Sequence, residues 1–262
     1  VGPGDYAGSA IYVSKGSRNT TIRDLTIVGN HAAAGTKDAL GDRQGQHGIG
    51  VYGSANTLIE RVAISRVGGD CYNIKDYNKD KVLSDGVTIR DSSCRLTGRM
   101  GVVLNGAKNV RIEDSVWDDI GFGVFGFEPN KSWQGSSDVV IRGNSIGAYS
   151  LTDQFNPKLL YACDALWIDG PTTVRDVTFT GNTVAGNRSG KGTMTGLHVK
   201  ICGDRGNRLN FTVTNNTAKQ AVDGPSMRFT QVKGVTVTGN RQPLAKGSLA
   251  TFTGSTGVTY DG

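Results

Sequence analysis

The 262-residue sequence is short of several things, and each shortage excludes a class of protein. No apolar run approaches the roughly 18 residues that a membrane-spanning helix requires. There are only 6 Pro, and the 38 Gly follow no three-residue period, so a collagen-like rod is excluded. No long stretch repeats its apolar residues at helical spacing, which argues against a helical bundle. The four cysteines, Cys71, Cys94, Cys163 and Cys202, contain no CxxC spacing and suggest no zinc site. Their even number admits two disulfides and an extracellular setting, and equally admits buried thiols. Basic residues exceed acidic ones, 29 to 23, giving a net charge of +6. They are scattered, with no run of five, so no nucleic-acid tail is visible and no nucleic-acid or membrane partner is expected. The sequence opens on Val1-Gly2-Pro3-Gly4 rather than Met and is read as a processed or trimmed chain.

What is abundant is Gly, Thr, Val, Asn and Asp, the composition of short strands joined by tight turns. Two phrases alternate along the chain. In the first, branched residues at every second position run into Asx or Gly. Examples are Thr21-Ile22-Arg23-Asp24-Leu25-Thr26-Ile27, Val87-Thr88-Ile89-Arg90-Asp91, Val139-Val140-Ile141-Arg142-Gly143-Asn144 and Val235-Thr236-Val237-Thr238-Gly239-Asn240. The second is a short apolar strand, as in Gly48-Ile49-Gly50-Val51, Gly101-Val102-Val103-Leu104, Gly123-Val124-Phe125-Gly126 and Gly196-Leu197-His198-Val199. Aligning its copies on residues 11, 49, 72, 102, 124, 166, 197, 227 and 249 gives a shortest step of 22 to 23 residues, the excess elsewhere being loop. One such unit cannot bury its own apolar face, so the units must stack. The sequence predicts an all-β solenoid of about nine coils over 1–262, one domain, with Ile49, Val51, Ile74, Val102, Leu104, Leu166, Ile168, Leu197 and Val199 inside.

These phrases resemble the right-handed parallel β-helix of the pectate-lyase-like superfamily, which includes polysaccharide lyases, glycoside hydrolases, alginate epimerases, phage tail-spikes and adhesins. The resemblance implies an N-terminal cap, and no segment of the sequence resembles one. Stacking predicts columns of outward residues on the second-phrase sheet. One column reads His47, Asp70, Met100, Phe122 and Asp164. The central one reads Tyr12, Gly50, Asn73, Val103, Phe125, Trp167, His198 and Arg228. A third reads Tyr52, Lys75, Asn105, Phe127, Asp169 and Lys200. Carboxylates, amides and aromatic rings together suit a sugar polymer. The expected site therefore has Glu128 with Asp169 or Asp164 as a catalytic carboxylate pair, Asp70 beside His47 as a second cluster, and Tyr52, Asn73, Lys75, Asn105, Trp167, His198, Lys200 and Arg228 as substrate contacts.

Two shorter likenesses bear on the reaction. Gly69-Asp70-Cys71-Tyr72-Asn73-Ile74-Lys75 is similar to the G-D-D-C-x-x-I-K stretch of polygalacturonase-like hydrolases, with Gly69 in place of the first Asp. Phe125-Gly126-Phe127-Glu128-Pro129-Asn130 resembles the Y-G-F-D-P-H phrase of alginate epimerases. Phe125 and Asn130 replace groups that could move a proton, so epimerisation is not expected. The expectation is a secreted carbohydrate-active enzyme, glycoside hydrolysis being preferred. A lyase acting on an acidic polymer through Lys75, His198, Lys200 and Arg228 is the alternative, and a non-catalytic binding module a third. No cofactor is expected, except calcium under the lyase reading. The partner is a polysaccharide, and the chain a monomer, or a trimer if tail-spike-like.

Overall fold

The architecture is seen in a computed structural model that describes residues 8–34, 45–77, 79–151, 164–168, 170–185, 196–203 and 205–262. Every regular element among these is a strand. Nine strands form one parallel sheet: Gly8–Val13, Gln46–Tyr52, Tyr72–Lys75, Val102–Asn105, Phe125–Phe127, Leu166–Ile168, Val199–Cys202, Met227–Thr230 and Ala250–Thr253. They are the second-phrase copies, hydrogen-bonded in chain order.

The first-phrase copies build a bent sheet of fourteen strands that closes the other two sides of the coil. In the early coils one long strand, Arg18–Val28 or Ala55–Ser65, runs around the bend. From residue 84 on, the bend splits it into two, as in Ser84–Arg90 and Ser93–Thr97. The Asx or Gly of the phrase sits at this bend. Asp24, Asp91, Asp114, Gly143, Gly181, Asn215 and Gly239 all have φ between 48° and 66°, a left-handed conformation that Asp, Asn and Gly tolerate best. The Asx or Gly that recurs in the sequence thus marks where the chain turns, Arg61 taking the same conformation in the coil of Ala55–Ser65.

Just after the bend, side chains stack from coil to coil. Asn144 Nδ2 donates to Asn182 Oδ1 (2.9 Å), Asn182 to Asn216 (3.0 Å) and Asn216 to Asn240 (2.9 Å). Each Oδ1 also accepts the backbone N–H of the Asn one coil before. Ser92 and Ser115 continue the column in earlier coils.

The nine residues expected inside are all buried, and they join one continuous apolar core. Burying each such side chain contributes roughly 1.5–3 kcal/mol, an upper estimate against a compact unfolded chain. Tyr72, Trp117, Phe125 and Phe179 pack edge to face through its middle. A disulfide, Cys71–Cys94, ties the nine-stranded sheet to the far wall across 6.0 Å between Cα atoms. Cys163 lies outside the described residues.

The strand register departs from the sequence reading in three coils. Phe125, not Val124, stands opposite Val102 and Leu166. Val199, not Leu197, pairs with Leu166 and Met227, and Ala250 replaces Leu249. In residues 121–127 both alternations place apolar residues on one face, so alternation alone cannot choose between them. Pairing with Val102 and Leu104 does, and it turns Phe125 and Phe127 inward, leaving Gly126 outside between Val103 and Trp167.

Candidate functional site

With that register, the central outward column of the nine-stranded sheet reads Tyr12, Gly50, Asn73, Val103, Gly126, Trp167, Lys200 and Arg228. Lys200, expected at the strand end, stands between Trp167 and Arg228. His198 moves to the position just before its strand, because the register shifts by two residues there. Tyr52, Lys75 and Asn105 form the column beside it, as expected.

The polar centre of this face is a chain of five side chains. Asp70, fully buried, precedes its strand and accepts the Met100 backbone N–H at 3.1 Å, Asn73 Nδ2 at 3.3 Å and Arg99 Nη1 at 3.3 Å. His47 Nδ1 lies 3.2 Å from the same carboxylate, and His47 Nε2 lies 3.2 Å from Asn73 Nδ2. A buried carboxylate without such partners would cost several kcal/mol. On its other side a single Arg99 nitrogen, Nη2, lies 2.7 Å from both oxygens of Glu128, so the guanidinium bridges the two carboxyls, Nη1 to Asp70 and Nη2 to Glu128. Asn105 Oδ1 accepts the Glu128 backbone N–H at 3.0 Å, fixing the start of the loop that carries it.

The two carboxyls joined by Arg99 are driven in opposite directions. Burial alone would raise Asp70, but Arg99, His47 and the Met100 N–H outweigh it and hold the group below its usual value. Burial raises Glu128 against the pull of Arg99, and the Asp70 charge pushes the same way as burial. Glu128 is therefore the member of the pair that takes a proton first. Phe125 and Phe127, expected in the outward columns, take no part in this desolvation, since both rings point into the core.

Glu128 opens into a cleft of about 390 Å³ between Arg99, Trp167 and Arg205, walled by Pro129 and Pro171. Trp167 forms the cleft's edge and belongs to a small apolar cluster on the outside of the sheet, with Met100, Val103 and Phe122. Gly126 makes this cluster possible, because a Cβ there would sit 2.5 Å from the Met100 sulfur.

Beyond the cluster lies a second titratable group. Asp164 is 8% exposed, and burial raises its pKa to about 6 against the pull of Lys200 and Arg228. Burial and Arg228 push His198 down to about 4. The structure does not bring Asp164 to Glu128. Glu128 follows Phe127, which pairs with Ile168, so the two carboxyls sit five positions apart along the strand direction, about 16 Å between backbones. Asp169 lies outside the described residues. Among the described residues no group of three or more metal-ligating side chains is found.

Arg99 and Arg205 escaped the sequence reading. Arg99 had a signal: it is 29 residues from both Asp70 and Glu128, one coil from each.

Parallel sheets stacked coil on coil, with a continuous core and inward Asn ladders, define the right-handed parallel β-helix. The chain shares that fold with the Yersinia enterocolitica family 28 exopolygalacturonase (TM-score 0.56, 16% identity), covering 84% of this chain and 39% of that one. It also shares it with the alginate lyase of Paenibacillus sp. str. FPU-7 (0.62, 13%; 95% and 76%) and the GH136 lacto-N-biosidase of Eubacterium ramulus (0.56, 12%; 94% and 50%). The chain thus spans about two fifths of the exopolygalacturonase and half of the biosidase. No family model matches the sequence, and no curated protein matches it.

Proposed function

We propose that this chain is a secreted carbohydrate-active enzyme that takes a polysaccharide across the outer face of the nine-stranded sheet and cleaves it by glycoside hydrolysis. The observation that carries this reading is Glu128: a carboxyl at the edge of the interior, its pKa raised by desolvation, held by Arg99 and facing a cleft edged by an indole. A carboxyl whose hold on its proton is strengthened by burial is suited to hand that proton to a glycosidic oxygen as the bond breaks. Asp169, next in sequence after Ile168, is the candidate base or nucleophile. Asp70 does not reach solvent, so it acts as a positioning residue that orients Arg99 and His47. The solved enzymes sharing this fold include an exopolygalacturonase and a lacto-N-biosidase, which supports a glycan as the substrate class.

A second reading is β-elimination on an acidic polymer. It is favoured by Arg205, which lines the Glu128 cleft and could meet a uronate carboxylate, Arg99 being already shared between Asp70 and Glu128. The cations Lys75, Lys200 and Arg228 on the same face support an acidic substrate under either reaction. One experiment separates them. Incubation with pectic, alginate and neutral glucan polymers gives new reducing ends without unsaturated-uronate absorbance if hydrolysis is right, and with that absorbance if elimination is right. Binding without either product leaves a binding module and overturns both.

A further inference from the structure

Toward the N-terminal end of the same face the polar network gives way to aromatic rings. Tyr12, on the strand Gly8–Val13, is 50% exposed. It stands opposite Gly50, and its ring meets that of Tyr52 edge-on, 4.7 Å between centroids at 74°. Gly50 is what lets Tyr52 lie back over its own strand: a Cβ there would fall 3.1 Å from Tyr52 Cζ and 2.3 Å from Ser9 Oγ. Lys75, paired with Tyr52 in register, sets its ammonium 4.1 Å from the centre of the Tyr52 ring. Tyr52 is therefore taken up by Tyr12, Lys75 and the sheet, and the ring left facing outward is Tyr12.

This group is continuous with the cleft. Tyr52, Lys75 and Asn105 stand in register on successive strands, and Asn105 holds the backbone of Glu128. An exposed tyrosine alone is ordinary. One braced by a second ring, which an ammonium holds in turn, at the end of a polar strip that leads to Glu128, has its rotamer cost largely met before any ligand arrives.

We propose that Tyr12 is a stacking platform for a sugar unit of the same polymer that reaches Glu128, so that the glycan lies along the solenoid axis. Tyr52 and Lys75 act as positioning residues, and the Lys75 ammonium is left to meet a hydroxyl or carboxylate of the units between. This rests on the carbohydrate reading above. From the strand of Tyr12 to that of Gly126 is four strand spacings, about 19 Å. Sugar repeats advance by about one such spacing, so only chains of about five units or more touch both ends.

The test is binding of oligogalacturonate, alginate-oligosaccharide and cello-oligosaccharide ladders, dimers to hexamers, measured by calorimetry in the Glu128→Gln background so that nothing is cleaved. Adding Tyr12→Ala raises the hexamer Kd about tenfold, leaves the trimer Kd unchanged, and is rescued by Tyr12→Trp. Equal loss for trimer and hexamer, or no loss for the hexamer, overturns the platform while leaving the carbohydrate reading in place. If the parent protein binds no member of any ladder, the carbohydrate reading falls and the platform with it. Tyr12 is half exposed, so the variant's melting temperature stays with its parent's; a large drop would assign the ring to the fold and overturn the proposal.

Discussion

Two buried polar clusters occupy the same solenoid and differ in kind. At the bend, Asn144, Asn182, Asn216 and Asn240 are uncharged, repeat coil by coil, and satisfy each other and the backbone. On the nine-stranded sheet, His47, Asp70, Asn73, Arg99 and Glu128 are mostly ionisable, occur once, and end at a cleft. The ladder closes on itself and stabilises the coil. The cluster leaves one of its members, Glu128, with a displaced proton affinity at the surface. In a repeat protein, the polar group that obeys the period serves the fold, and the one that breaks it is where chemistry is to be sought.

The largest effect that would sharpen this contrast is on Glu128. Glu128→Gln lowers the rate of polymer cleavage by about 10²–10⁴ with little change in melting temperature. An unchanged rate would put the cluster on the same footing as the ladder. Arg99→Met acts on both activity and fold. It leaves Asp70 buried without its cation, costing about 3–5 kcal/mol in a denaturant titration, and it frees Glu128. A loss of activity with stability intact would show that Asp70 is compensated by something other than Arg99.

Asn182→Ala is the reciprocal experiment on the ladder. The Asn144 backbone N–H loses its acceptor, and Asn144 Nδ2 keeps only the Ile112 and Arg142 carbonyls. The expected cost is about 2–4 kcal/mol in stability, with KM and kcat of the remaining folded protein unchanged. A specific fall in kcat would break the distinction between the two clusters.

The smallest effect is a pH dependence of opposite sign in two aspartates. Asp70 is held below its usual value, so its contribution is present above the unfolded pKa and is lost as pH falls through the lower folded one. Asp164, raised from 3.8 to about 6, binds its proton more tightly folded than unfolded, so stability declines as pH rises between those values. Asp164→Asn removes that decline and leaves the variant more stable than the parent at pH 7 by about 3 kcal/mol, read as melting temperature between pH 4 and pH 8. Parallel curves for variant and parent would show that Asp164 is not buried as a displaced acid.

The sequence made the fold legible because solenoids write their geometry as repetition. Ile49, Val51, Ile74 and Val102 recur at the inward points of the second phrase, and all are inside. The Asx or Gly ending each first phrase foretold a turn, though not that Asn144, Asn182 and Asn216 would stack just beyond it. Register was legible only where one face is polar. In the run around Phe125 both faces carry apolar groups, and at Leu197–Val199 two apolar positions compete, so strand pairing had to decide. The site was partly legible. The contact of Asp70 with His47 followed from stacking, and Glu128 from its place at a strand end. Arg99 was missed because it stands outside any strand pattern, at the foot of a turn, and its significance lies in being one coil from each of two carboxylates.

The most direct measurement is a crystal structure of the Glu128→Gln variant soaked with a hexasaccharide that the parent protein degrades. The account predicts sugar density running across successive strands of the nine-stranded sheet, with a glycosidic oxygen within hydrogen-bonding distance of residue 128 and a ring against Tyr12. Density on the bent sheet, or a glycan crossing the nine-stranded sheet without approaching residue 128, would contradict it.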